Sequence, residues 1–162
     1  MKIQIDIDSF SRLIMVKPRA HRDKAITSKI MSSVRGKGSK AEKMLAKAMW
    51  GIGLRYRKHP KGIIGKPDYV FVGPKVAVFC DGDFWHGIGW EKRGFGSWEE
   101  QFEGLHNSAF WREKIARNME RDRKVTKQLQ NEGWIVLRFL ESEILDDADK
   151  HAQIVLRTIK QL

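Results

Sequence analysis

Five side chains in this sequence have types and spacings that can do chemistry: Asp68, Asp81, His86, Asp122 and Glu42. Asp68 follows Pro67 in "GKPDYVF", and Asp81 closes the apolar run of "VFCDGDFWHG". Two carboxylates brought close together repel unless a cation or a proton neutralises them. Hard oxygen ligands of this kind suit Mg²⁺, which bridges to phosphate and activates water for hydrolysis. The competing reading gives both aspartates to turns, one after Pro67 and one before Gly82. His86 stands in a glycine-rich loop just beyond the acids, where an imidazole can act as general base to an attacking water. A packed or solvent-facing loop histidine is the plainer alternative.

Asp122 lies on a stripe with Trp111, Ile115, Asn118, Val125 and Leu129, spaced at three- and four-residue steps. Such a stripe faces inward, and a carboxylate there needs a partner. The candidates are a histidine, whose tautomer the carboxylate would hold, or an arginine in a structural ion pair. Glu42 stands three residues after Ser39, the spacing of a helix capping box. Phe84 and Trp85 suit either a core or a wedge between base pairs, and Met31 allows the same two readings.

The elements that must position these residues follow from pattern. "GSKAEKMLAKAMWGIG" predicts a helix capped by Ser39 and ended by Gly51 or Gly53, with an apolar face of Ala41, Met44, Leu45, Ala48 and Met49. The stretch from Leu54 to Cys80 reads as successive β segments. Gly73-Pro74 suits a type II′ hairpin turn that sets Val72 opposite Lys75 and Asp68 opposite Phe79. Asp68 and Asp81 then share one sheet face near its end. Residues 87–106 read as a long loop. "NSAFWREKIARNMERDRKVTKQLQNEG" is a helix with Asn107 as cap and Gly133 past its end; "WIVLRFL" is a strand; "DADKHAQIVLRTIKQL" is a closing amphipathic helix. The sum is a mixed α/β domain.

At 162 residues the chain has the length of one domain. The six tryptophans and the absence of a long apolar run point away from a membrane span, and one cysteine excludes an internal disulfide. A reducing cytoplasm is the expected setting. The net charge is +11. It concentrates between Lys17 and Lys66, where only Asp23 and Glu42 oppose a long series of lysines and arginines. That segment includes Arg35, Lys37, Arg55, Arg57 and Lys58, the candidate contacts to a polyanion such as nucleic acid.

The motifs "SKIMSSVRGKGSKAEKML", "GLRYRKH", "GKPDYVF", "VFCDGDFWHG", "NSAFWREKIARNMERDRK" and "GWIVLRFLESEI" occur in this order from Thr27 to Ile144. Together they resemble the very short patch repair (Vsr) DNA mismatch endonuclease family. The resemblance implies a restriction-endonuclease-like fold, a mixed β-sheet flanked by α-helices, over residues 27–162, with residues 1–26 as an N-terminal arm or edge element. It implies a Mg²⁺-dependent endonuclease that hydrolyses one phosphodiester at or next to a T:G mismatch in double-stranded DNA, with other repair proteins as further candidate partners. On this resemblance Asp68 is the central Mg²⁺ ligand, and Cys80 contributes through its backbone carbonyl. His86 is the general base and Asp122 orients it. Glu42 binds metal-bound water, while Phe84, Trp85 and Met31 intercalate beside the mismatch.

Two departures from the family pattern stand out. Asp81 replaces a second site histidine and is a candidate additional metal ligand. The positions matching a structural zinc site are Asp83, Ile88, Trp90 and Ser142, none a thiolate or imidazole; no zinc is expected, and packing by Trp90 and Trp98 is expected to hold the loop. The alternatives to a mismatch nickase are a nuclease specific for another DNA structure or sequence, and a DNA-binding module with an impaired site.

Overall fold

The computed structural model describes residues 38–162; the expected arm and the candidates Met31, Arg35 and Lys37 lie outside them. The described part opens with helix α1, Lys40–Gly51. Its start is the expected capping box: Ser39 Oγ accepts the Glu42 N–H and Glu42 Oε1 accepts the Ser39 N–H. This satisfies two amides that the helix itself leaves open.

Four strands form one sheet in the order β1 (Arg57–Lys58), β2 (Tyr69–Phe71), β3 (Val76–Asp81) and β4 (Ile135–Leu140). The first three are antiparallel neighbours, and β4 runs parallel to β3. Helix α2 (Ser108–Asn131) is the crossover between these parallel strands, and the short α3 (Glu141–Asp146) and α4 (Ala148–Lys160) follow β4. This is the mixed sheet flanked by helices that the sequence predicts.

Strand periodicity divides the core into two layers. Tyr69, Phe71, Val76 and Val78 pack with Leu45 and Met49 of α1 and Ala152 and Val155 of α4. Val70, Ala77 and Phe79 face the other way, against Val125 and Leu129 of α2. All three residues of β2 are buried, as expected for a strand covered on both faces.

Pairing of Tyr69 with Val78 and of Val70 with Ala77 places Asp68 in register with Phe79, as the sequence predicts. The turn is of another kind. The left-handed residue is Lys75, at φ 51°, and not Gly73. Lys75 is held there from both sides of its own residue: its Nζ donates to the Glu132 carbonyl at the end of α2, and its carbonyl accepts the Ile135 N–H of β4. The start of α2 also differs from expectation. Asn107 adopts φ 61° and makes no side-chain cap; its carbonyl accepts the Trp111 N–H. Of the segment between Leu54 and Asp68, only Arg57–Lys58 forms a strand, and the loop between β3 and α2 contains two 3₁₀ turns, Glu91–Arg93 and Glu100–Phe102.

Candidate active site

The C-terminal end of β3 is where the candidate residues gather. Asp68 lies just before β2, and its Oδ2 accepts the Cys80 N–H at 2.7 Å. Its Oδ1 faces His59 Nδ1 at 3.6 Å, and His59 Nε2 faces Glu42 Oε2 at 3.4 Å. Ligand atoms of Glu42, His59 and Asp68 all lie within 4.8 Å of one another. Tyr69 Oη fixes α1 over this end of the sheet by donating to the Glu42 carbonyl at 2.7 Å.

The site is electrostatically loaded. Burial pushes the Asp68 carboxyl up to about 6, and the nearby charges of Glu42, Asp81 and Glu141 add to the effect against the Cys80 N–H bond. Burial also raises the Cys80 thiol, which is therefore a neutral group at physiological pH. Two carboxylates and an imidazole converging here make a donor set that fits a divalent cation.

Asp81 takes a different place. Both its oxygens are held by Arg138, from Nε at 2.6 Å and Nη2 at 2.9 Å. Arg138 Nη2 also lies 3.3 Å from Asp122 Oδ1. Asp122 Oδ2 meets His86 Nδ1 at 2.5 Å, and His86 Nε2 faces Asp81 Oδ1 at 3.6 Å. Asp122 thus has both of the partners open to it in the sequence, a histidine and an arginine. Burial alone would raise Asp122, but the His86 hydrogen bond, Arg138 and Arg121 together bring it below the ordinary carboxylate range.

The His86 loop is pressed against α2. Gly87 sits at φ +67°, and a Cβ there would come within 2.5 Å of Met119 Sδ. Asn118 Nδ2 donates to the Trp85 carbonyl at 3.0 Å. Met119 and Asp122 lie one turn apart, so the seat of Gly87 on α2 also sets His86 against Asp122.

Phe84 and Trp85 join an aromatic group with Trp111 and the half-exposed Phe110, and Lys114 Nζ lies over Trp85, Phe110 and Trp111. Among the basic candidates, Arg57 and Lys58 are exposed on β1, and Arg55 stacks on Trp50 at 3.8 Å. At the loop's base, Asp83 accepts hydrogen bonds from both the backbone N–H and the hydroxyl of Ser142. Asp83 and Ser142 are hydrogen-bonded to each other, and the side chains of Ile88 and Trp90 carry no metal-donor atom. Trp98 packs edge-on against Phe102 at 4.9 Å, and Lys92 pairs with Glu143.

Comparison with known proteins decides what this constellation belongs to. Residues 20–92 match the family model described as DNA mismatch endonuclease Vsr. A type II nicking enzyme of Neisseria meningitidis serogroup C is 46% identical over 132 residues, covering 82% of this chain and 84% of that protein. The chain belongs to the Vsr family. A type II nicking enzyme of Haemophilus parainfluenzae is 39% identical, over 79% of this chain and 86% of its own length. The DNA mismatch endonuclease Vsr of Escherichia coli is 34% identical, over 71% of this chain and 69% of its own length. This Vsr-family protein is a DNA endonuclease related to mismatch repair, with DNA as its substrate. No helix among its described residues is long and apolar enough to cross a membrane.

Sequence reasoning did not single out His59 or Arg138. His59 closes the basic run "RYRKH", where a histidine reads as one more cation. Arg138 interrupts the apolar run of β4. An arginine inside an otherwise apolar strand implies a buried acid nearby, and that was the available signal.

Proposed function

We propose that this endonuclease makes a Mg²⁺-dependent single-strand cut at or next to a T:G mismatch. The observation that carries the reading is the hydrogen bond from His86 Nδ1 to Asp122 Oδ2 at the same strand end as the Asp68 cluster. With its proton on Nδ1, the imidazole keeps the Nε2 lone pair for an attacking water.

Asp68 and Glu42 would hold the cation, with the Cys80 carbonyl as the neighbouring backbone donor. When bound, the cation neutralises charge developing on the scissile phosphate. His86 takes a proton from water; the water oxygen attacks phosphorus, and the bond from phosphorus to the leaving deoxyribose oxygen breaks. Asp122 stabilises the imidazolium formed in that step. Asp81 enters as the anchor of Arg138 and not as a ligand. Arg55, Arg57 and Lys58, with Arg35 and Lys37 from the preceding segment, grip the backbone, so affinity falls steeply with salt. Phe84 and Trp85 wedge the mismatch.

A nicking assay on T:G and matched duplexes, with Mg²⁺ or EDTA, tests this reading. Nicking of the T:G duplex alone, abolished by EDTA and by Asp68→Ala, is expected. Equal cutting of matched and mismatched duplexes would favour a nickase that does not require a mismatch; the Neisseria and Haemophilus relatives are named simply as type II nicking enzymes. Binding without cutting would leave a DNA-binding module.

A further inference from the structure

We propose that His59 supplies an imidazole ligand to the cation held by Glu42 and Asp68, giving this site a preference for Mn²⁺ over Mg²⁺. The inference rests on the catalytic reading above and specifies its metal chemistry.

The geometry comes first. Bonds of about 2.1 Å in an octahedral ion set its ligands about 3 Å apart in cis and about 4 Å apart in trans. His59 Nε2 stands 3.4 Å from Glu42 Oε2 and its Nδ1 3.6 Å from Asp68 Oδ1, and one ligand atom from each of the three residues lies within 4.8 Å of the others. Both separations are longer than hydrogen bonds, so neither ring nitrogen is committed to a carboxylate and either can serve as the donor in the three-residue group.

The placement of His59 is fixed by the backbone. Its N–H donates to the Asp68 carbonyl at 3.0 Å, one step beyond the Lys58–Tyr69 pair of β1 and β2. The residue adopts φ 41°, an uncommon conformation for a side chain of this size. The sheet therefore delivers the imidazole to Asp68 as directly as it delivers the carboxylate itself.

Charge supplies an independent reason for a cation. Among the described residues, His59 is the only basic side chain within ion-pair distance of Glu42 or Asp68. Glu42 is buried, and Asp81 and Glu141 add negative potential at Asp68. Asp68 has one oxygen committed to the Cys80 N–H, which leaves Oδ1 directed at the cluster. An oxygen-only set is well matched to Mg²⁺, whereas one imidazole nitrogen among carboxylate oxygens costs a transition cation such as Mn²⁺ less than it costs Mg²⁺.

The test uses the full chain without DNA. Mn²⁺ binding is followed by the loss of its free-ion electron paramagnetic resonance signal, and Mg²⁺ by competition. Pulsed measurements on protein with isotope-labelled histidine report a nitrogen bonded directly to Mn²⁺. The wild type should bind Mn²⁺ at least about tenfold tighter than Mg²⁺. His59→Gln should lose that margin and the nitrogen coupling, while His86→Gln keeps both. His59→Asn, with thermal melting as a fold check, guards against a local collapse in one variant. Nitrogen coupling absent from the wild type, or unchanged Mn²⁺ affinity in both His59 variants, would overturn the proposal. Mn²⁺ binding that survives Asp68→Ala would instead overturn the catalytic reading, so the two failures are distinguishable.

Discussion

Arg138 grips Asp81 through a two-bond fork because the parallel register sets Arg138 beside Phe79, two residues before Asp81 on the same sheet face. The guanidinium lies over the Phe79 ring at 4.5 Å and extends to Asp122. Asp81 is 4% exposed, and the Arg138 fork engages both of its oxygens. Arg138→Met should cost about 3 kcal/mol in urea unfolding, the scale for an acid left buried without its partner. Adding Asp81→Asn should recover part of the loss. A single variant as stable as the wild type would show that the fork holds nothing.

Asp122→Asn should lower kcat for nicking by about a hundredfold or more while leaving KM for DNA nearly unchanged. Asparagine preserves the shape but no longer selects the tautomer with the proton on Nδ1. A matching loss of DNA affinity would mean that Asp122 shapes the binding surface instead.

Asp68 should weaken the metal-free fold at neutral pH. Its carboxyl is pushed up to about 6 from an ordinary 3.8, so the folded state holds this proton more tightly than the unfolded chain does. Stability from this group therefore falls as pH rises from about 4 through 6, and the penalty is complete above that window. Asp68→Asn in EDTA should gain about 2–3 kcal/mol at pH 7.5, the gain vanishing near pH 4, while nicking is abolished. Asp122 works in the opposite sense: its lowered carboxyl contributes stability at neutral pH that is lost on acidification. Thermal melts of both variants across pH separate the two contributions.

Ser142→Ala should loosen the loop that carries Phe84, Trp85 and His86. It removes the hydroxyl bond to Asp83 but leaves the backbone one. A loss of about 1 kcal/mol is expected, with faster proteolysis confined to residues 83–106. Unchanged proteolysis would assign the loop's order to the Trp98–Phe102 packing alone.

Gly87→Ala should impair catalysis more than stability. The added methyl meets Met119 and Ile115 and demands φ +67° of an alanine, so the loop must lift from α2 and carry His86 with it. Comparable losses of nicking and of melting temperature would point to general unfolding.

The elements that sequence alone predicts well are those defined by local pattern. The capping box at Ser39, the inward stripe of α2 and the register of Asp68 with Phe79 each depend on neighbours a few residues apart. The turn at Lys75 and the uncapped start at Asn107 depend on distant contacts and differ from expectation. The same division holds in the site. His86 and Asp122 are separated by 36 positions, yet each carries its own local sign, a glycine-rich loop and a periodic face. His59 stands only nine positions before Asp68, but its place in a basic run hides it, whereas the partners of Arg138 become visible only when β3, β4 and α2 lie side by side.

Glu42 Oε2 faces His59 and also accepts the Gly38 N–H at 2.9 Å. One oxygen therefore couples the acidic cluster to the backbone that leads into α1. A cation held there, as proposed above, would draw electron density from that oxygen and weaken its hold on the Gly38 amide. The proposed metal occupancy would then be linked thermodynamically to the anchoring of the chain at residue 38 through a single atom.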